Sequence, residues 1–98
     1  MKLIIAVVRP VIIDRLVVAL ENIENFPGVT FTDTESFGQK VKTPDDAINP
    51  FKPNKRIEIA ADEEMVASIV EAIKEHAHTG RKGDGFVIVV NIENSTLI

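Results

Sequence analysis

The hydrophobic pattern divides the chain into two similar halves, of which the first runs to about residue 37. Residues 2–8 form an unbroken apolar run rich in β-branched side chains, which predicts a buried strand. The next apolar positions recur with a helical period, which predicts an amphipathic helix that begins near Pro10 and ends before Pro27 and Gly28. Residues 29–37 then alternate between apolar and polar side chains, as a half-exposed strand does.

The second half repeats this order after a long loop, predicted over residues 38–54. Its three prolines and lack of a sustained period argue against regular structure, and loops longer than about 12–15 residues are usually functional or disordered. Residues 55–61 predict a third strand. Asp62 is a good N-cap for a helix that runs to about Ala77. Residues 86–92 predict a second continuously buried strand.

This order predicts one α+β domain over residues 1–98, with the ferredoxin-like βαββαβ fold. Four antiparallel strands would form the sheet, and two helices would cover one of its faces. The first and fourth strands lack polar alternation, so both of their faces are expected to be buried. Because a single chain has only two helices, we expect the other sheet face to be covered by self-association.

Composition excludes several classes of function. The 98 residues contain no cysteine, which excludes disulfides, cysteine-bound zinc and thiol catalysis. A net charge of -4, and the absence of Tyr and Trp as stacking platforms, argue against a nucleic-acid partner. No apolar run approaches the roughly 20 residues of a membrane span, and no signal peptide is recognisable, so a cytoplasmic location is expected.

The segment of residues 79–85, Thr-Gly-Arg-Lys-Gly-Asp-Gly, carries the strongest chemical signal. Glycines allow backbone N–H groups to turn toward an anion, and Arg81 and Lys82 add positive charge. The alternative interpretation is a helix C-cap followed by a hairpin turn. The long loop is a second candidate, because residues 38–56 contain five basic and two acidic side chains. It would attract phosphate groups or an acidic partner, or would simply be a solvated loop.

Catalysis has little support in the sequence. The two histidines, His76 and His78, stand two residues apart near a helix end, where stabilising the helix C-terminus is a better interpretation than metal binding. The neighbouring carboxylates Asp45 and Asp46 lie in the predicted loop, without burial to separate their pKa values. A small phosphatase of the same topology would need a phosphate-cradling loop after the first strand, where only Arg9 and Pro10 stand. We therefore expect no enzyme.

Four segments together resemble the PII signal-transduction family and its PII-like relatives: KLIIAVVRP, TDTESFG, KRIEIAA and TGRKGDGFVIV. The resemblance spans roughly residues 1–92, and the TG-x-x-GDG turn before an apolar strand is its most specific part. It implies a homotrimer of ferredoxin-like subunits without catalytic activity. It also implies that ATP, ADP or AMP binds in the cleft between subunits, and that the long loop docks onto transporters, enzymes or regulators.

The resemblance also implies a set of ligand-binding residues. Gly83, Asp84 and Gly85 match the turn around the nucleotide phosphates, and Arg81 matches a basic position in it. The remaining matches are Gly38 at the loop base, Gln39 and Lys40 after it, Val7 against the adenine, and Glu58 as an acidic residue on the third strand.

The chain also departs from the family pattern. Phe86 follows the Gly-Asp-Gly turn where the family usually has lysine, and Gly38-Gln39-Lys40 replaces Gly-Arg-Gln. The C-terminal arginine pair and the loop tyrosine are not found. Each charge-assisted hydrogen bond to phosphate contributes roughly 1.5–3 kcal/mol, so two or three losses predict an affinity about 10³-fold lower or more.

These observations predict a divergent PII-like regulatory protein that needs no cofactor. It would bind a small anionic effector, an adenine nucleotide above all, in clefts between subunits. It would then modulate a partner, such as a membrane transporter, through the 38–54 loop. The alternative is a ligand-free structural trimer of the divalent-cation-tolerance type, in which the glycine turn merely closes a hairpin.

Overall fold

The computed structural model describes residues 1–38, 50–81 and 83–98. The chain begins with strand β1, and a short 3₁₀ turn leads into helix α1. Strands β2 and β3, helix α2 and strand β4 follow. Their bounds are Lys2–Val8 for β1, Pro10–Ile12 for the 3₁₀ turn, Ile13–Glu21 for α1, Thr30–Ser36 for β2, Lys52–Ala61 for β3, Glu63–Ala77 for α2 and Gly85–Asn91 for β4.

The described strands form one four-stranded antiparallel sheet in the order β2-β3-β1-β4. The two most apolar strands, β1 and β4, are neighbours, and the crossovers through α1 and α2 place both helices on the same face. This arrangement confirms the predicted ferredoxin-like fold. It also makes β2 and β4 the two edges of the sheet, which matters for the location of the candidate site.

The core lies between the helices and one face of the sheet. In β1 the even-numbered side chains Ile4, Ala6 and Val8 are fully buried, and Ile57 and Ile59 of β3 are buried beside them. The 3₁₀ turn contributes Ile12, and the two helices contribute buried side chains at helical spacing: Leu16, Leu20, Ile69, Ile73 and Ala77. Alternation in the strands and helical periodicity in the sequence therefore point to the same interior.

On the opposite face of the sheet, the half formed by β1 and β4 is apolar and open. Across β1 and β4, the paired residues Leu3–Val90, Ile5–Ile88 and Val7–Phe86 lie on this face. Phe86 is 54% exposed, and Ile88 and Val90 are exposed as well. A single chain therefore leaves this side of β4 uncovered, because both helices lie on the other face of the sheet. The expected burial of both sides of β4 depends on self-association and stays a prediction.

Several predicted boundaries shift by a few residues. Strand β3 begins at Lys52 instead of Lys55, so residues 52–54 of the predicted loop belong to a strand. Pro53 is tolerated because the pairing of β3 with β1 stops at Lys55, and the missing N–H is not needed on that side. Asp62 occupies the N-cap position of α2, but its side chain makes no capping hydrogen bond. Residues 39–49 of the predicted loop lie outside the described residues.

Candidate functional site

The candidate site is built around the turn that joins α2 to β4. Helix α2 ends at Ala77, and β4 begins at Gly85, which pairs with Val8 at the end of β1. We call residues 78–84 the glycine turn. The register places the glycine turn at the end of the sheet where β1 ends and β4 begins. Arg9, the residue after β1, therefore lies close to it.

Gly85 is required by a close approach between two backbones. Its φ of +130° lies in the region that favours glycine. A Cβ atom at this position would stand 1.9 Å from the carbonyl oxygen of Val7. A side chain here would push β4 away from β1, so glycine is needed at position 85 for the turn to meet the sheet, whether or not a ligand binds.

Asp84 organises the turn through its carboxylate. The backbone N–H of Thr79 donates to Oδ2 at 2.7 Å, and the Thr79 hydroxyl donates to Oδ1. The Nε of Arg9 donates to Oδ1 at 2.8 Å. His78 Nδ1 lies 3.6 Å from Oδ2. The carboxylate of Asp84 therefore points into the turn. It connects the two ends of the turn, at Thr79 and Asp84, with Arg9 after β1.

The electrostatics of Asp84 agree with this geometry. Burial of the carboxyl group, whose side chain is only 16% exposed, would by itself raise its pKa. The hydrogen bonds from Thr79 and the hydrogen bond and charge of Arg9 outweigh burial and lower the pKa from 3.8 to about 2. Asp84 is therefore ionised at neutral pH, and its charge is matched by Arg9.

Arg81 contributes to the turn in two ways. Its backbone N–H donates to the Thr79 hydroxyl at 3.3 Å, which closes the first part of the turn. Its side chain is exposed, and among residues 1–38, 50–81 and 83–98 no ion pair of Arg81 is found. A guanidinium group in this position can reach an anion bound at the turn.

A groove of about 420 Å³ runs beside the turn, between the C-terminal half of α2 and β4. Val70, Ile73 and Val87 make its apolar wall, and Asp84 and His78 stand at one end. This volume lies within the usual range for small-molecule sites. The glycine turn therefore lies between two surfaces: this apolar groove on the helix side of the sheet, and the open face on the opposite side.

Two further predicted site residues lie on the open sheet face. Val7 pairs with Phe86, the residue that follows the glycine turn, so an apolar surface continues directly from it. Glu58 pairs with Ile5 and lies on the same face. Its carboxylate is 3.4 Å from Nε of Arg56 on the same strand. The structure thus brings Val7, Phe86 and the glycine turn together, with Glu58 one strand away.

The base of the long loop lies at the same end of the sheet as the glycine turn, but on the opposite edge strand, β2. Gly38 follows β2, and the rings of Phe37 and Phe51 contact each other at 5.4 Å between centroids. Because β3 and β1 separate β2 from β4, the loop base and the glycine turn are at least three inter-strand spacings, or about 14 Å, apart. One chain does not bring them together. The predicted site residues Gln39 and Lys40 lie outside the described residues.

Sequence reasoning missed the residues that hold the turn. Arg9 was interpreted only as the end of a strand, Arg15 carried no signal of its own, and Thr79 was singled out only as the first residue of the glycine-rich segment. Their partners are far away in the chain, with Arg9 and Asp84 separated by 75 residues. The two histidines near the end of α2 prove to be relevant through their backbone: the carbonyl groups of His76 and His78 accept hydrogen bonds from Arg15.

The described residues, 1–38, 50–81 and 83–98, lack two features of other kinds of site. They contain no cluster of three or more histidine, aspartate or glutamate side chains placed to hold a metal ion. They also contain no helix that is both long and apolar enough to cross a membrane.

Comparison with known proteins connects this geometry to a family. The chain matches the family described as Nitrogen regulatory protein P-II over residues 1–98. The Nitrogen regulatory protein P-II of Bradyrhizobium diazoefficiens is 33% identical over 103 aligned positions, which cover 100% of this chain and 91% of that protein. That of Azospirillum brasilense is 32% identical, with coverage of 95% and 87%. The chain therefore belongs to the P-II family of nitrogen regulatory proteins.

Proposed function

We propose that this protein is a signal-transduction regulator, not an enzyme, that binds an adenine nucleotide at the glycine turn. The observation that carries the proposal is the pre-formed turn itself. Asp84, Thr79 and Arg9 fix its shape, and Gly85 brings it against the end of β1. A turn whose shape is already fixed binds an anion without first losing conformational entropy.

The surroundings of the turn suit the two chemically different parts of a nucleotide. Arg81 supplies positive charge for phosphate, and the negative charge of Asp84 is offset by Arg9. Val7 and Phe86 supply apolar surface for the base. Phe86 in the position of the family's lysine removes one cation, so the proposed affinity is lower than that of a site with the full set of cations.

The proposal includes a homotrimer, which is the usual assembly of this family. The open face of the sheet exposes Phe86, Ile88 and Val90 in one apolar surface, which a second copy would bury. The loop base and the glycine turn lie on opposite edges of each sheet, so only a contact between subunits would join them. The nucleotide would therefore bind in the cleft between subunits.

Regulation would follow from a ligand that contacts both halves of this cleft. A nucleotide held at the glycine turn of one subunit and at the loop base of its neighbour would favour one shape of the loop between Gly38 and Asn54. The regulated partner, for which a membrane transporter is the proposed class, would recognise that shape. Binding energy alone would drive this change, and no bond would be made or broken.

A second candidate is a ligand-free structural trimer of the divalent-cation-tolerance type. One observation favours it: the Asp84 carboxylate is already bonded to Thr79 and Arg9, so the turn is stable without a ligand. In this case the glycine turn would only join α2 to β4, and the apolar face would serve assembly.

Native mass spectrometry and calorimetry separate the two candidates. Native mass spectra of the purified protein should show three subunits, and a monomer would contradict the assembly. Calorimetry with AMP, ADP, ATP and cyclic AMP should show binding of at least one. Asp84→Ala should weaken it, whereas Asp33→Ala, which removes an 85% exposed carboxylate on β2, should not. A trimer that binds none of the four nucleotides would leave only the structural candidate.

A further inference from the structure

The C-terminal end of α2 is bonded to a side chain from the other helix. The last carbonyl groups of a helix have no partner within it. Arg15 of α1 donates from Nε to the carbonyl oxygen of His76 at 2.6 Å, and from Nη2 to that of His78 at 2.9 Å. A guanidinium group is planar and rigid, so two hydrogen bonds from one such group fix both carbonyls relative to α1.

The other end of the glycine turn is held from the same short stretch of chain. Arg9 donates to Asp84, the residue before β4. Residues 9–15 therefore contact both ends of the turn: Arg15 binds where it leaves α2, and Arg9 binds where it enters β4. Between these two points stand Gly80 and Gly83, both with positive φ, which give the turn a backbone with many alternative conformations when it is not held.

We propose that Arg15 is a positioning residue for ligand binding at the glycine turn. This inference rests on the proposed function. Arg15 acts through the carbonyls of His76 and His78, and it sets the direction in which the backbone leaves α2. Without it, the turn begins from a helix end that is free to fray, and the turn is held only by the hydrogen bonds that Arg9 and Thr79 donate to Asp84. A smaller fraction of molecules then has the binding-competent turn.

The size of the effect follows from that fraction. An apparent dissociation constant equals the intrinsic one divided by the fraction of molecules in the competent state. If the loss of both hydrogen bonds lowers that fraction to about a tenth, the nucleotide affinity falls about tenfold. We expect the sheet to depend little on Arg15, because its two hydrogen bonds end at His76, in the last turn of α2, and at His78, the first residue of the glycine turn.

The experiment compares two substitutions of Arg15 in the full chain. Arg15→Met keeps most of the side-chain length and removes every donor. Arg15→Lys keeps one ammonium group, which can replace one of the two hydrogen bonds. Lys2→Met is the matched control, because it removes a cation that contacts Asn91 and Glu63 at the opposite end of β1. Each variant is measured by hydrogen exchange without ligand, and by calorimetry with AMP, ADP, ATP and cyclic AMP.

Arg15→Met should accelerate amide exchange in peptides that cover residues 78–85 and leave peptides from β1 and β3 unchanged. It should also weaken nucleotide binding about tenfold. Arg15→Lys should lie between Arg15→Met and the wild type in both measurements, and Lys2→Met should match the wild type. Partial rescue by lysine separates positioning from a general loss of stability, which would accelerate exchange throughout the sheet.

Two results would overturn the inference while leaving the proposed function in place. One is unchanged exchange over residues 78–85 in Arg15→Met. The other is accelerated exchange in that segment with unchanged nucleotide affinity. If the wild type binds none of the four nucleotides, the proposed function fails instead, and exchange in the ligand-free protein alone decides whether Arg15 holds the turn.

Discussion

Asp84→Asn tests whether the carboxylate at the centre of the glycine turn contributes to stability as the structure implies. The folded protein lowers the pKa of Asp84 from 3.8 to about 2, mainly because Thr79 and Arg9 donate hydrogen bonds that outweigh the effect of burial. A shift of this size corresponds to about 2 kcal/mol of folding free energy when the group is ionised. Asparagine fills the same space but carries no charge for Arg9.

The pH dependence follows from the sign of the shift. Because the folded pKa is depressed, the ionised carboxylate stabilises the fold at every pH well above 3.8, and this contribution is lost as the pH falls toward 2. Roughly half of it should be gone at pH 3. The free energies of unfolding of the wild type and Asp84→Asn should therefore differ by about 2 kcal/mol at pH 7 and converge below about pH 4.

Urea denaturation followed by circular dichroism, from pH 7 to pH 3 at fixed protein concentration, measures this difference. A fixed concentration matters because any association would also contribute to the apparent stability. Asp33→Asn is the control: it removes an 85% exposed carboxylate that pairs with Lys55, and such surface pairs contribute about 0–1 kcal/mol. A difference for Asp84→Asn that is no larger than for the control, or that stays constant down to pH 3, would refute the reasoning.

Two further predictions concern the backbone and the open face. Gly85→Ala should lower the free energy of unfolding by at least about 2 kcal/mol more than Gly28→Ala, because both have positive φ but only Gly85 approaches the Val7 carbonyl. Equal losses in urea denaturation would show that the close approach has no cost. Ile88→Asp should shift the native mass toward monomer and leave the fold intact by circular dichroism. Val11→Asp, at a site 81% exposed on the 3₁₀ turn, should leave both the native mass and the fold unchanged. An unchanged trimer for Ile88→Asp would place the subunit contact elsewhere.

The fold could be predicted from the sequence because local signals and global packing agree. The apolar run predicted β1 with its observed bounds. The helical periods identified Leu16, Leu20, Ile69 and Ile73 as core residues but missed Ile12, which is buried from the 3₁₀ turn. The glycine turn was found from its composition alone. Strand order was less accessible: the run in β4 looks like that of a central strand, and only the sheet shows that it is an edge. An apolar run predicts that a strand is buried, but it does not predict which element or subunit covers the strand.

The contacts that shape the site could not be predicted for a different reason. Arg15 and the carbonyl of His76 are 61 residues apart, and a backbone carbonyl has no signature in the sequence. Asp84 was singled out in the sequence, but nothing there pairs it with Arg9, which the fold brings within 2.8 Å. These side chains hold the glycine turn because of their positions in the fold, and their residue types alone do not predict this role.

The strand order also explains why the proposed site needs more than one chain. With β2 and β4 as opposite edges, the loop base after Ser36 and the glycine turn before Gly85 lie at least about 14 Å apart across the sheet. A ligand that contacts both would join the β4 edge of one copy to the β2 edge of another. Such a contact uses different surfaces on the two copies, and repeated contacts of this kind close into a ring when the rotation permits. In a closed ring every glycine turn has the loop base of a neighbouring subunit beside it. Each ligand would therefore bind between two subunits and contact both.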